Sequence, residues 1–237
     1  MGRMTSDRWG WSDRPGAPQE TDVRSMFDSV ARRYDAVNRL LSLGLDRSWR
    51  RAAVRVVARR PGDVVLDLGC GTGALGRVLA GCRVVGLDVS FEMLKAAGRA
   101  RARESLVQGS AFRLPFRESA FGAAVSTFLL RNLSDQPAAF SELARVVSPG
   151  GPVALLDITE PSSPALRRLF RAYFSRAAPA LGAVTGHADA YRYLVGSLAH
   201  LPPPDEMLGL LGDAGFDLAS ARPITGGIIT LFTAVRG

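Results

Sequence analysis

Apolar positions along the chain follow two different periods. Val23, Met26, Phe27, Val30 and Tyr34 recur every three or four residues from Asp22 onward. Trp49, Ala53, Val56 and Val57 do the same between Asp46 and Arg60. Both spacings predict helices that bury one face, with Thr21 or Asp22 able to cap the first. The pattern then changes to short, nearly unbroken apolar runs at Val64–Leu68, Val84–Asp88, Leu106–Gln108, Ala123–Leu130 and Val153–Ile158. Runs of this length read as buried strands. Helical periods separate most of them: Ala74–Ala80, Phe91–Arg101 behind the cap candidate Ser90, and Asp135 to about Val147 before the stop at Pro149-Gly150-Gly151. After Glu160-Pro161 come helical stretches through Ala178, at Ala188–Leu198 and at Asp205–Ala214. Two closing runs, Asp217–Arg222 and Ile228–Val235, have no helix between them and predict an antiparallel edge hairpin. The expected fold is therefore α/β: a Rossmann-like, doubly wound, mostly parallel seven-stranded sheet. Residues 21–237 form its single domain, with 21–60 as a helical cap and 161–214 as a helical cover. Residues 1–20, rich in Gly, Pro, Asp and Arg, are expected to be a disordered tail.

The chain is organised around Val64-Val65-Leu66-Asp67-Leu68-Gly69-Cys70-Gly71-Thr72-Gly73. Glycines after a strand let the backbone take positive φ and let a ligand approach main-chain N–H groups. Gly71 to Gly76 fits the dinucleotide pattern G-x-G-x-x-G, a weak signal alone. Asp67 changes its meaning. A carboxylate at the strand end repels a pyrophosphate and suits a ligand with a cationic amine, such as S-adenosylmethionine with its ammonium and sulfonium. Asp88, 17 positions beyond Gly71, stands near the spacing expected of a carboxylate that accepts from ribose hydroxyls. This arrangement resembles the first motif of class I methyltransferases. Cofactor contacts are then expected from Asp67, Gly69, Gly71, Thr72, Gly73, Asp88, Val89, Ser110, Ala111 and Thr127.

Composition narrows the picture. The 237 residues are 47% hydrophobic, enough for a full core, and carry a formal charge of +8. Lys95 is the one lysine, and residues 1–60 hold 13 Arg against 7 Asp and Glu. Such a basic patch can meet an anionic surface or simply be solvated. Two cysteines build no disulfide framework, which points to a reduced, cytoplasmic setting. Two histidines without a Cys/His cluster argue against a metal site. No signal peptide or membrane-length apolar run is expected.

Longer stretches carry a more selective resemblance. Met26-Phe27-Asp28-Ser29-Val30-Ala31-Arg32-Arg33-Tyr34-Asp35-Ala36-Val37-Asn38-Arg39-Leu40-Leu41-Ser42-Leu43-Gly44 resembles the N-terminal signature of the ubiquinone/menaquinone C-methyltransferase family. Asp88 through Met93-Leu94, Leu114-Pro115-Phe116, Arg131-Asn132-Leu133-Ser134-Asp135, Ala190-Tyr191-Arg192-Tyr193-Leu194 with Ser197, and Gly226-Gly227 are similar to its later segments. The similarity spans about Val23 to Val235. Two positions depart from the pattern. Leu129 stands where the family usually has glycine, and Thr230-Leu231-Phe232-Thr233-Ala234 lacks the family's last-strand histidine. Both departures are expected to leave the cofactor side intact and to bear on the acceptor's pocket.

The resemblance implies methylation of a ring carbon of a demethylated isoprenoid quinol, most readily demethylmenaquinol, with S-adenosylmethionine as donor. Arg131 would stabilise a phenolate or orient a water, with Asn132 and Tyr34 beside it as catalytic candidates and Tyr193, Phe128 and Phe170 as substrate contacts. Tyr34 and Tyr193 read equally well as helix packing. Asp35 is a candidate base or an arginine partner. Leu166, Leu169, Phe170, Tyr173 and Phe174 form a helical stripe with Arg167, Arg168 and Arg171 opposite, a lid or a membrane-facing basic helix. Peripheral contact at the inner face of a membrane and a homodimer are further expectations; nucleic acid is not an expected partner. Another small aromatic acceptor remains the alternative. A nicotinamide oxidoreductase lacks a Tyr-x-x-x-Lys pair here, and no aromatic–basic RNA motif is visible.

Overall fold

The computed structural model describes residues 19–57, 63–79, 81–100, 104–185, 193 and 196–237. Residues 1–18 of the expected tail, and Tyr191 and Arg192, lie outside them. Three helices come first: α1 (Glu20–Val30), α2 (Tyr34–Leu41) and α3 (Asp46–Val57). The single period from Val23 to Tyr34 is thus divided between two helices by a turn at residues 31–33. The first starts at Glu20 behind Gln19 and has no side-chain cap from Thr21 or Asp22.

Strands β1 (Val64–Leu68), β2 (Arg83–Asp88), β3 (Glu104–Gln108), β4 (Ala123–Thr127) and β5 (Pro152–Ile158) are parallel. Helices α4 (Phe91–Arg99), α5 (Gln136–Val146), α6 (Pro164–Thr185) and α7 (Pro204–Asp213) follow, with β6 (Phe216–Ile224) and β7 (Ile229–Arg236) closing the chain. The seven strands run in the order β3-β2-β1-β4-β5-β7-β6, and β7 pairs antiparallel with both β5 and β6. The order reverses between β1 and β4, which opens the crevice where ligands of such sheets bind.

Strand alternation divides the core. Leu66, Leu68 and Leu155 point to the α5/α7 side, with Phe140, Leu143, Met207 and Leu210. Val65, Ala154 and Leu156 point to the α3 side, with Trp49, Ala53 and Val57. Each fully buried Val, Leu, Phe or Met among them contributes about 1.5–3 kcal/mol. Ser90 caps α4 as expected, accepting from the Met93 N–H at 3.1 Å.

The helix expected at Ala74–Ala80 does not form as a regular element. Residues 71–78 are successive turns, with Val78 N–H and Leu79 N–H both bonded to the Leu75 carbonyl. Leu75 and Leu79 are buried all the same. Gly73 at φ +70 and the low helix propensity of Gly76 break the ladder, while the two leucines still fill the core.

Candidate active site

The cofactor-side cleft is built at the carboxyl ends of β1, β2 and β4. Gly69 and Cys70 N–H both donate to the Leu87 carbonyl, which hooks the glycine turn onto β2. Gly71 sits at φ +55 and a Cβ there would meet only open space. Its N–H donates to Asp88 Oδ2 at 2.8 Å, and the Ser90 N–H donates to Oδ1 at 2.8 Å. Burial pushes the Asp88 carboxyl up to about 6, although these amides pull it down; Asp28 adds to the rise.

The cleft encloses about 650 Å³. Among the described residues, Glu20 and Asp88 are the charged ones lining it, and no lysine or arginine does. Leu87, Val89, Met93, Ala111 and Phe112 give apolar walls, and Tyr34, Gly69, Thr127, Phe128 and Asn132 complete much of the rest. Two carboxylates without a cation suit a ligand bearing ammonium and sulfonium groups and disfavour a phosphate. The donor set therefore fits S-adenosylmethionine: Asp88 for vicinal hydroxyls, apolar walls for a purine.

Four residues expected at the cofactor do not line this cleft. Asp67 is buried within β1, in register with Gly86 and Val125. Gly73 lies in the turn at φ +70. Thr72 Oγ1 donates to Asp35 Oδ1 at 2.5 Å, and Arg77 bonds both Asp35 Oδ2 and the Thr72 carbonyl at 3.0 Å. This network ties α2 to the glycine turn and occupies Asp35, the candidate base. Ser110 Oγ donates to Glu20 Oε2 at 2.5 Å and accepts from the Phe112 N–H. Sequence reasoning missed Glu20, which had no motif, and Asp28, which accepts from Ser90 Oγ at 2.6 Å and binds the cofactor loop to α1.

A second cavity opens beside the first. This apolar groove of about 1180 Å³ lies between α2, α6 and the β7 side, and it shares Tyr34 and Phe128 with the cleft. Leu166, Leu169, Phe170, Tyr173 and Phe174 all line it, so the stripe read from the sequence faces this space. Phe170 and Phe174 are buried, whereas Leu166 and Leu169 stay exposed. Tyr173 OH donates to the Leu41 carbonyl at 3.1 Å and joins α6 to α2. Trp49 Nε1 donates to Thr225 Oγ1 at 2.8 Å on the opposite wall. The neighbouring Gly227 is at φ +89, and a Cβ there would approach Pro161 Cα to 3.3 Å, which explains the glycine pair.

Polar groups meet where cleft and groove join. Phe128 takes φ +67, a strained conformation for a bulky residue. Arg131 Nη1 and Asn132 Nδ2 both donate to its carbonyl, at 3.0 and 3.1 Å, and hold the turn. Arg131 is 4% exposed and pairs with the fully buried Asp157, Nη1 to Oδ1 at 2.5 Å. Burial works to discharge this guanidinium, but Asp157 outweighs it and keeps the pKa above the ordinary arginine value. Arg131 Nε–H has no protein acceptor among the described residues. Tyr193 OH donates to Asn132 Oδ1 at 3.1 Å, and burial pushes its phenol up to about 12. Asp157, at the carboxyl end of β5, carried a positional signal that sequence reasoning did not use.

The two departures from the family pattern lie elsewhere than expected. Leu129 lines the cofactor cleft, not the groove. Its Cδ1 sits 3.0 Å from where a Gly69 Cβ would be, so a side chain at residue 69, already strained at φ +72, would also have to displace Leu129. Phe232 is fully buried in the core shared with α5 and α7. Neither residue lines the apolar groove.

Sheet order, glycine turn and acidic cleft together define a Rossmann-like, S-adenosylmethionine-dependent methyltransferase. A solved S-adenosylmethionine-dependent methyltransferase from Thermotoga maritima has a similar fold, with a TM-score of 0.65 over 90% of this chain and 99% of that one at 16% identity. More particularly, the chain belongs to the ubiE/COQ5 methyltransferase family, which matches residues 17–236. It is 38% identical over 231 residues to the ubiquinone/menaquinone biosynthesis C-methyltransferase UbiE of Syntrophotalea carbinolica, covering 94% of this chain and 96% of that protein. It is 42% identical over 218 residues to the demethylmenaquinone methyltransferase of Mycolicibacterium paratuberculosis, covering 91% and 94%.

Proposed function

We propose that this enzyme methylates a ring carbon of a demethylated isoprenoid quinol, demethylmenaquinol in the first instance. One observation carries the reading: an apolar-walled cleft carrying two carboxylates and a long apolar groove meet at Tyr34 and Phe128, beside Arg131, Asn132 and Tyr193. The cleft suits the donor, the groove suits a polyisoprenoid tail, and the polar cluster suits the hydroxyls of an aromatic head.

Bound S-adenosylmethionine supplies an electrophilic methyl group on its sulfonium. The protein's task is to hold the acceptor carbon in line with it and to make the ring electron rich. Arg131 remains a cation throughout, so it does not act as the base. Its charge, with a free Nε–H, stabilises the oxyanion that forms as a ring hydroxyl loses its proton to water. Tyr193 stays protonated at neutral pH and, with Asn132, orients the hydroxyls. With the donor bound, its sulfonium would supply the methyl group and depart as a neutral thioether; Arg131, Asn132 and Tyr193 would hold the electron-rich ring facing it, and water would take the ring C–H proton. Asp46 is the carboxylate lining the groove, held by Ser42 Oγ at 3.3 Å and near Arg50.

A methyl-transfer assay with reduced demethylmenaquinone beside a demethylated benzoquinol and a tail-less aromatic decides the matter. The tailed naphthoquinol should turn over fastest. Transfer to the tail-less aromatic with none to either tailed quinol would overturn the assignment.

A further inference from the structure

The turn between α2 and α3 is a leucine tip between arginines. Leu43 at φ +52 and Gly44 at φ +78 form it, and Leu40, Leu43 and Leu45 are 56%, 75% and 42% exposed. Across the groove mouth, Leu166 and Leu169 of α6 are 41% and 66% exposed. Four of these five line the groove, so the apolar rim is continuous with its interior. Soluble surfaces rarely keep such large side chains together in the open.

Beside this rim lies a polar hollow of about 830 Å³, sharing Asn38 and Asp46 with the groove. Arg39, Arg47, Arg50, Arg51 and Arg77 line it against two carboxylates among the described residues, Asp35 and Asp46. Arg77 is taken by Asp35, and Arg50 by Thr127 Oγ1 and the Phe128 ring. No ion pair or hydrogen bond holds the Arg39, Arg47 or Arg51 side chain among the described residues. Unpaired guanidinium groups next to an exposed apolar rim match, in order, the headgroup and acyl layers of an anionic bilayer.

We infer that this corner docks on an anionic phospholipid surface. Leu40, Leu43, Leu45, Leu166 and Leu169 enter the acyl boundary, and Arg39, Arg47 and Arg51 meet lipid phosphates. The groove mouth then opens into the membrane, and a lipid-tailed acceptor enters tail-first without crossing water. This last consequence rests on the proposed acceptor; the docking itself does not.

The test uses the full chain with quinone-free vesicles of phosphatidylcholine, alone or with about one third phosphatidylglycerol. Co-sedimentation should favour the anionic vesicles by at least about tenfold and weaken steeply with salt. Arg39→Glu/Arg47→Glu and, separately, Leu43→Asp should each lower binding by about tenfold or more, with thermal melts confirming the fold. Leu40→Asp should weaken vesicle binding yet leave turnover of a detergent-dispersed acceptor unchanged. Equal binding to both vesicle types, or variants that bind as the parent does, would overturn the inference. So would a dimer that Leu43→Asp dissociates while vesicles capture nothing, since the rim would then belong to a second copy. Vesicle binding without quinol methylation would leave the docking intact and refute only the acceptor.

Discussion

Replacing Asp88 with asparagine separates the energetics of the fold from those of the cofactor cleft. The carboxyl rises from 3.8 to about 6 in the folded protein, burial being the main cause. A raised carboxyl pKa means that the folded state holds its proton more tightly than the unfolded state. Its ionisation therefore opposes folding, not at all below the unfolded value and fully above the folded one. A rise of this size corresponds to about 3 kcal/mol at neutral pH. Asparagine removes that charge but cannot accept from both the Gly71 and Ser90 amides, which returns about 1–3 kcal/mol of penalty. The hydrogen-bond loss does not depend on pH, whereas the ionisation penalty does. The stability of Asp88→Asn relative to the parent should thus increase by about 2 kcal/mol between pH 4.5 and pH 7. Urea unfolding of both proteins across that range measures it. Calorimetry with S-adenosylmethionine at pH 7 should show affinity reduced by about 10- to 100-fold, the worth of a charge-assisted hydrogen bond to a hydroxyl. A stability difference that stays flat with pH would refute the raised carboxyl. Unchanged cofactor affinity would refute its place at the ribose.

Other perturbations probe the join of cleft and groove. Arg131→Ala strands the buried Asp157 carboxylate and should cost about 3–5 kcal/mol in urea unfolding, most of it recovered by Arg131→Ala/Asp157→Ala. The double variant should bind S-adenosylmethionine nearly as the parent does and still show turnover reduced by about 100-fold or more, as expected of a lost oxyanion contact. Tyr193→Phe removes one hydroxyl from a half-buried network and should reduce kcat by about tenfold with cofactor Kd unchanged, read by single-turnover kinetics and calorimetry. Trp49 lines the groove and packs edge-on against Phe128 at 6.4 Å. In a Trp9→Phe/Trp11→Phe background, its fluorescence should shift when a polyisoprenoid quinol binds and not when the cofactor alone binds.

Much of this architecture was legible in residue order. The apolar runs and helical periods specify a parallel sheet with a closing hairpin because the central strands bury both faces, the closing strand β6 buries little, and each helix buries one face. Gly69 and Gly71 were legible as a turn because positive φ leaves few other choices, and Asp88 as a carboxylate lining the cleft because β2 ends there. The stripe on α6 marked the face that lines the groove. Local pattern misjudged Ala74–Ala80, since burying Leu75 and Leu79 needs turns of roughly helical spacing and not a full ladder. It also drew Thr72 and Ser110 toward a ligand, when long-range neighbours, Asp35 and Glu20, hold their hydroxyls.

What the tertiary structure alone decided is which distant groups meet. Asp157 lies 26 residues from Arg131, and Tyr193 lies 61 residues from Asn132. The parallel packing of β4 against β5 brings the first pair together, and the fold sets the Tyr193 hydroxyl on Asn132. Spacing along a chain cannot encode such pairs, because hydrophobic periodicity reports which face is buried and says nothing of which polar atom waits opposite. The same folding carried Phe232 into the core and Leu129 to the cleft beside Gly69. Two positions whose departures look in the sequence like changes of substrate pocket thus both lie outside the groove.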